Sequence, residues 1–118
     1  MTCELDHVQL SIPPRHEAAI VDFYETFLGA QELEKPDALR PNGGCWLQVG
    51  ALALHFGVEE GFRPHQKSHL AFRLANYDEV VRLLQRDGYD VTVDTRLADV
   101  RRCYVGDPVG NRLELIAG

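Results

Sequence analysis

The sequence lacks any apolar run long enough to cross a membrane. No stretch reaches the roughly 18 consecutive apolar residues that a bilayer-spanning helix needs. The opening residues, MTCELDHVQL, also lack the succession of basic, apolar and small residues that marks a secretory signal peptide. We therefore predict a cytoplasmic protein with no membrane partner.

Cysteine is scarce, and acidic charge outweighs basic charge. Cys3, Cys45 and Cys103 are far apart and form no CxxC pair, which predicts reduced thiols rather than a disulfide frame or a cysteine zinc site. The formal net charge of −6 disfavours nucleic acid as a partner, because its phosphates require a basic patch. No glycine-rich loop opens a helix, so no phosphate-binding loop is expected.

The first half of the chain reads as strand, helix and three further strands. Residues 5–12 alternate between apolar and polar side chains, which predicts a half-buried strand. A helix is expected over residues 15–28, with Gly29 at its C-terminal cap. A short strand over 31–34, a polar loop over 35–44 and two strands joined by a tight turn at Gly50 follow. The predicted buried stripe of the helix consists of Ile20, Phe23, Tyr24 and Phe27.

The second half repeats this order. SHLAFRL predicts a strand, and Asn76 with Glu79 predicts a capping box that starts a helix. Gly88 closes that helix, and the segments YDVTVD, RRCYVG and NRLELI predict three more strands. Asp107 to Gly110 suits a type I turn between the last two strands. The buried stripe expected for this helix is Tyr77, Val80, Val81 and Leu84.

The repeat predicts a single α+β domain built from two tandem βαβββ modules. We place the first module at about 4–57, a connector at 58–67 and the second module at about 68–117. The apolar face of each sheet is expected to pack against the helix of the same module. The opposite faces of the two curved mixed sheets are then expected to enclose a cleft.

Alternation also predicts which side chains lie on the cleft faces. In four strands, the positions opposite the apolar residues hold His7, His55, His69 and Glu114. Imidazoles and a carboxylate that converge are ligands for a transition metal, and two histidines with one carboxylate leave positions open for substrate. A lone histidine on the polar side of a strand is more often merely solvated. The prediction therefore depends on two further facts: these residues lie on the same face of their strands, and the two halves of the chain repeat. The repeat offset aligns Glu114 with either His55 or Ala53, so the place of His55 in this set stays open.

Other polar and aromatic side chains are candidates for the pocket. Arg73 and Arg112 could hold an anionic substrate or offset nearby carboxylates, and Trp46 could line the pocket as an apolar wall. For Tyr104 we favour ordinary packing. Cys103 has no evident base partner, so no nucleophile is predicted.

Four segments together resemble the vicinal oxygen chelate superfamily of glyoxalase, bleomycin resistance and extradiol dioxygenase proteins. They are DHVQLSIP, FYETFLGAQ, HLAFRL and RRCYVGDPVGNRLELI, of which the last is the most specific. The resemblance implies paired βαβββ modules around a divalent metal such as Zn, Mn, Ni or Fe, with ligands at His7, His69 and Glu114. The fourth ligand place, often a glutamate in glyoxalase I, falls at Ala53 or His55, which disfavours a lactoylglutathione lyase. The resemblance to this superfamily also implies a homodimer, in which the clefts are sometimes shared between subunits.

Two functions follow from this resemblance. The first is a metal-dependent enzyme of the lyase or isomerase, dioxygenase or thiol transferase type, which acts on a small oxygen-chelating substrate. In it, Glu114 or His55 would move the proton. The alternative is a metal-free protein of the bleomycin resistance type, which sequesters a cationic drug with its acidic charge and Trp46.

Overall fold

The structure is a computed structural model that describes residues 1–118. The chain divides into two compact units, residues 1–63 and 64–118, and the division falls inside the predicted connector. Each unit contains one α-helix and one four-stranded mixed sheet. This is the predicted α+β class with two βαβββ modules. Neither helix has the length and apolar character that crossing a bilayer requires.

The first unit has its sheet in the order β1-β4-β3-β2. Strand β1 runs parallel to β4, and the other neighbours are antiparallel. The elements are β1 (Val8–Ile12), α1 (Glu17–Leu28), β2 (Gln31–Leu33), a 3-10 helix (Asp37–Asn42), β3 (Cys45–Val49) and β4 (Leu52–Val58).

The second unit has the same arrangement, with strand order β5-β8-β7-β6. Strand β5 runs parallel to β8, and the remaining pairs are antiparallel. The elements are β5 (Leu70–Leu74), α2 (Tyr77–Arg86), β6 (Thr92–Asp94), β7 (Arg102–Gly106) and β8 (Arg112–Ala117).

The helices bury the stripes that the sequence predicts. All four predicted residues of α1 are buried, and Gly29 caps the helix in the left-handed conformation, where its N–H bonds the Tyr24 carbonyl. In α2, Tyr77, Val80 and Leu84 are buried, whereas Val81 is only half-buried. Each stripe packs on the apolar face of its sheet, so the opposite face of each sheet is left to the polar and aromatic residues.

Several local predictions were wrong in their boundaries or in their details. Arg15 has a φ of 65°, which a helix does not allow, so α1 begins at Glu17. Asn76 precedes α2, but its side chain makes no capping hydrogen bond, so the predicted box with Glu79 is not formed. The expected loop over 35–44 contains the 3-10 helix, and β6 covers only the end of YDVTVD.

Two of the predicted strands begin later than alternation suggested. Val8 is the first residue of β1 that pairs with β4, and Leu70 is the first of β5 that pairs with β8. The residues before Val8 and Leu70 alternate in the same way but have no partner strand. A strand therefore begins where its hydrogen-bonded pairing with a neighbouring strand begins, and not where side-chain alternation begins. His7 and His69 consequently lie one residue before their strands, at equivalent places in the two units.

Candidate metal centre

A histidine and a glutamate meet on the second sheet. Nε2 of His69 lies 3.0 Å from Oε1 of Glu114. The Glu114 side chain is only 9% exposed, whereas that of His69 is 27% exposed. Ala71 pairs with Glu114 in the β5–β8 ladder, so His69, two residues earlier, lies on the same face of the sheet. The pair is therefore open to a ligand from the His69 side.

The hydrogen bonds of His69 define which of its nitrogens carries a proton. Nδ1 lies 2.7 Å from the carbonyl oxygen of Lys67, and a carbonyl only accepts, so Nδ1 must donate. In a neutral ring, Nε2 then presents a lone pair to Glu114. A lone pair and a carboxylate at 3.0 Å require one proton between them, or a metal cation that takes its place.

The second oxygen of Glu114 has a different partner. Oε2 accepts from Nη1 of Arg102 at 3.4 Å, and Nη2 of the same guanidinium lies 2.9 Å from Oδ2 of Asp94. Asp94 in turn accepts from Nη2 of Arg96 at 2.6 Å. The hydrogen bond from the Arg96 side chain is the largest of the effects that hold the pKa of Asp94 far below its usual range, so Asp94 stays ionised.

Tyr104 and Arg112 support the ring of His69. The Tyr104 ring meets His69 edge to face, with 5.5 Å between ring centroids. The Arg112 guanidinium lies over the same tyrosine ring at 4.2 Å and donates to the Gln66 carbonyl at 2.6 Å. Arg112, a predicted pocket residue, therefore already contacts Tyr104 and Gln66 of its own unit. Arg73, the other predicted pocket arginine, is exposed.

A stack of three flat side chains lies on the polar face of the first sheet. Trp46 and His55 pair across β3 and β4, with ring centroids 3.9 Å apart and an interplanar angle of 5°. The other face of His55 stacks on His7 at 4.3 Å and 17°. Nδ1 of His7 lies 2.7 Å from Oδ2 of Asp6. If His7 is neutral, this contact places the proton on Nδ1 and leaves Nε2 as a lone pair, which is the tautomer of His69.

Burial favours the neutral form of His55. His55 is only 9% exposed, and this loss of hydration, aided by the nearby His7, lowers its pKa. Its ring is stacked between the rings of Trp46 and His7. The prediction that His55 transfers protons stays untested, and its position is equally suited to orienting His7.

The predicted site residues fall into two groups. The first unit brings together His7, His55 and Trp46, and the second brings together His69 and Glu114. Neither unit by itself gathers three His, Cys, Asp or Glu side chains that could hold a metal ion. The three-residue ligand set of His7, His69 and Glu114 therefore stays a prediction.

Sequence reasoning missed the residues that support Glu114. Tyr104 pairs directly with Glu114 and Arg102 with Asp94, so all four lie on one face of the sheet. Alternation around the buried Cys103 indicates that Arg102 and Tyr104 share this face. It does not indicate which residues stand opposite them, because that depends on the strand register.

Two βαβββ units, each with a histidine immediately before its first strand, agree with the resemblance to vicinal oxygen chelate proteins. The sequence profile of the Glyoxalase/Bleomycin resistance protein/Dioxygenase superfamily matches residues 4–115, which is nearly the whole chain. The chain belongs to this superfamily. No curated protein matches the chain.

Solved structures agree with this assignment. A glyoxalase family protein from Bacillus anthracis is 37% identical, with a TM-score of 0.89 over 100% of this chain and 97% of that one. The fosfomycin resistance protein FosX from Listeria monocytogenes is 18% identical, with a TM-score of 0.81 over 100% and 95% of the two chains. FosX from Mesorhizobium loti, also 18% identical, gives 0.75 over 100% and 94%. At 18% identity the likeness shows the fold alone. The Listeria protein has been crystallised with Mn(II) and sulfate.

Proposed function

We propose that the chain is a divalent-metal-dependent enzyme that acts on a small substrate with adjacent oxygen atoms. The observation that carries the proposal is the His69–Glu114 pair, in which two electron-pair donors face each other at 3.0 Å. Its donor set of one imidazole nitrogen and one carboxylate oxygen suits Mn²⁺, Fe²⁺, Ni²⁺ or Zn²⁺. His7 is proposed as the third ligand on the sequence resemblance.

The surroundings of both histidines support this donor role. Metal-binding histidines almost always donate their second ring N–H to a carbonyl or a carboxylate, which fixes the tautomer and the ring orientation. His69 does so to Lys67, and His7 is placed to do so to Asp6. With Nδ1 engaged, each ring has Nε2 as the nitrogen that could bind a metal ion.

A bound metal would supply Lewis acidity, which stabilises negative charge that develops on a substrate oxygen. The protein's own residues perform the remaining tasks. Lys67 and Tyr104 hold His69 in place, and Arg102 holds the outer oxygen of Glu114. Glu114 accepts or returns a proton when substrate binds. With two histidines and one carboxylate as ligands, ring cleavage of a catechol or thiol addition to an epoxide fits slightly better than dicarbonyl isomerisation.

The alternative of metal-free drug sequestration has less support. That function would use Trp46 as a stacking surface for a cationic ligand, but His55 already covers one face of Trp46 at 3.9 Å. The net charge of −6 remains compatible with attraction of a cation.

The proposal is tested by elemental analysis of protein purified without chelator or nickel resin, followed by titration of the metal-free protein with Mn(II). We choose Mn(II) because the Listeria FosX structure contains it. We expect one equivalent to bind and to raise the thermal midpoint, since the metal binds only the folded form. Less than one equivalent, with a midpoint that chelator does not change, contradicts the metal proposal and favours sequestration.

Two alanine variants locate the site. His69→Ala is expected to lose stoichiometric Mn(II) without unfolding, because the side chain is partly exposed and fills no core position. His65→Ala is the matched control, since His65 is an exposed histidine of the same unit. Retained stoichiometry in His69→Ala would remove His69 from the site.

Metal-loaded protein is then screened with dicarbonyl, catechol and epoxide substrates. The homodimer and the cytoplasmic location stay predictions, and light scattering measures the first.

A further inference from the structure

We infer that Arg102 is a positioning residue that holds the Glu114 carboxylate in the orientation that presents Oε1 to His69. This inference rests on the proposed metal site, since Glu114 is there a ligand. The side chain of Arg102 is 17% exposed and reaches two acidic groups at once, Asp94 and Glu114. Its guanidinium therefore fixes one carboxylate relative to the other.

The strand register explains how Arg102 reaches Glu114. Tyr104 stands directly opposite Glu114 in the β7–β8 ladder, and Arg102 lies two residues earlier on the same face. Such diagonal neighbours are within reach of a long side chain. On the other side, Arg102 stands directly opposite Asp94 in the β6–β7 ladder.

The two oxygens of Glu114 have separate partners, and this separation defines the plane of the carboxylate. Oε2 faces Arg102 at 3.4 Å, and Oε1 faces His69 at 3.0 Å. With Oε2 occupied, Glu114 has one oxygen available for a metal ion. Groups that hold a ligating carboxylate in this way are as much a part of a metal site as the ligands themselves.

Arg102 is poorly suited to the two other roles open to a buried arginine. Asp94 already offsets its charge at 2.9 Å, and Asp94 is itself held by Arg96, so Arg102 is not a free cation for an anionic substrate. Its Nε is buried without a hydrogen-bond partner. An unsatisfied buried donor costs stability, which reduces what Arg102 contributes to the folded state.

The test replaces Arg102 and observes His69 in the metal-free protein. Arg102→Met removes the guanidinium and keeps the bulk of the side chain, and Asp94 retains Arg96 as its partner. Arg102→Lys keeps the charge, but a single ammonium cannot hold Asp94 and Glu114 with the geometry of a guanidinium. Arg101→Met is the matched control, since Arg101 is an exposed neighbour that pairs with Asp78.

We expect the ¹⁵N resonance of His69 Nε2 to move in both Arg102 variants and to stay in place in Arg101→Met. The resonance is assigned from its loss in His69→Ala. For Mn(II), we expect affinity to fall by roughly 10–100-fold in Arg102→Met, the usual effect of removing a group that orients a ligand. If Arg102→Met does not fold, Arg102→Lys supplies both measurements.

The two measurements separate failure of this inference from failure of the metal proposal. An unchanged His69 resonance in a folded Arg102 variant would show that Arg102 contributes to stability alone, and unchanged Mn(II) affinity would equally overturn the inference. If the wild-type protein binds no Mn(II), the metal proposal fails. The His69 resonance then still decides whether Arg102 orients Glu114.

Discussion

His69, which immediately precedes β5, and Glu114 of the neighbouring parallel strand β8 meet in the second unit, with 3.0 Å between Nε2 and Oε1. Because Nδ1 of His69 donates to the Lys67 carbonyl, the short contact requires a proton between the two side chains. A metal ion that binds both atoms must take the place of this proton. The pair thus links metal binding to proton release.

Mn(II) binding is expected to release about one proton per ion from the wild-type protein, since ligands must be deprotonated to coordinate. Titration calorimetry in two buffers with different ionisation enthalpies measures this number. Binding should also weaken as the pH is lowered. Binding with no proton release would show that the ion does not occupy the space between His69 and Glu114.

Replacing His55 with phenylalanine should reduce the loss of stability on acidification. Burial lowers the pKa of His55, so below about pH 6.5 the unfolded chain takes up a proton that the folded protein resists. The free energy of unfolding therefore falls as the pH drops from about 6.5 towards the lowered pKa of the folded state. His55→Phe keeps a flat ring between Trp46 and His7 but cannot titrate.

Urea unfolding at about pH 7.5 and about pH 5.5 checks this prediction. The wild type should lose more stability between the two conditions than His55→Phe loses. His65→Phe is the control and should behave like the wild type, because His65 is exposed. An equal pH dependence in wild type and His55→Phe would mean that another group causes it.

Replacing Gly44 with alanine should destabilise the first unit strongly. A Cβ at this position would lie 2.0 Å from the carbonyl oxygen of Phe56, and the φ of +83° is itself unfavourable for alanine. We expect a loss of at least ~2 kcal/mol in the free energy of unfolding, because the clash involves backbone that cannot move aside. Denaturant titration provides the measurement.

Gly50 offers a matched control for this variant. It also has a positive φ, of +57°, but a Cβ at this position would have no other atom within 4 Å. Gly50→Ala should therefore show only the conformational cost of about 1 kcal/mol. Similar losses for the two variants would show that close approach at Gly44 is unimportant.

Asp107 is expected to stabilise the turn between β7 and β8. It is 5% exposed, and its Oδ1 accepts from the backbone N–H groups of Val109 and Asn111 at 3.0 and 2.9 Å. Asp107→Ala leaves both donors without this acceptor and should cost about 1–3 kcal/mol of unfolding free energy. Asp107→Asn retains an acceptor oxygen and should cost less. Equal losses in the two variants, by urea unfolding, would contradict this role.

Local pattern was sufficient for much of the fold. The period of the apolar residues predicted both helices and the stripe of α1 that is buried, and the polar face of each sheet followed from strict alternation. Gly29 and the turn from Asp107 to Gly110 were predictable because their conformations depend on neighbours in sequence. Strand ends were not predictable, because His7 and His69 alternate correctly yet have no pairing partner.

The sequence by itself therefore determined the superfamily, the order of elements and the side chains that share a face, all of which depend on residues near one another in the chain. Only the tertiary structure decided which of these side chains touch: His69 with Glu114, Glu114 with Arg102, and His55 between His7 and Trp46. The physical reason is that these contacts join different strands. Their distances depend on strand register and rotamer, which side-chain alternation does not contain.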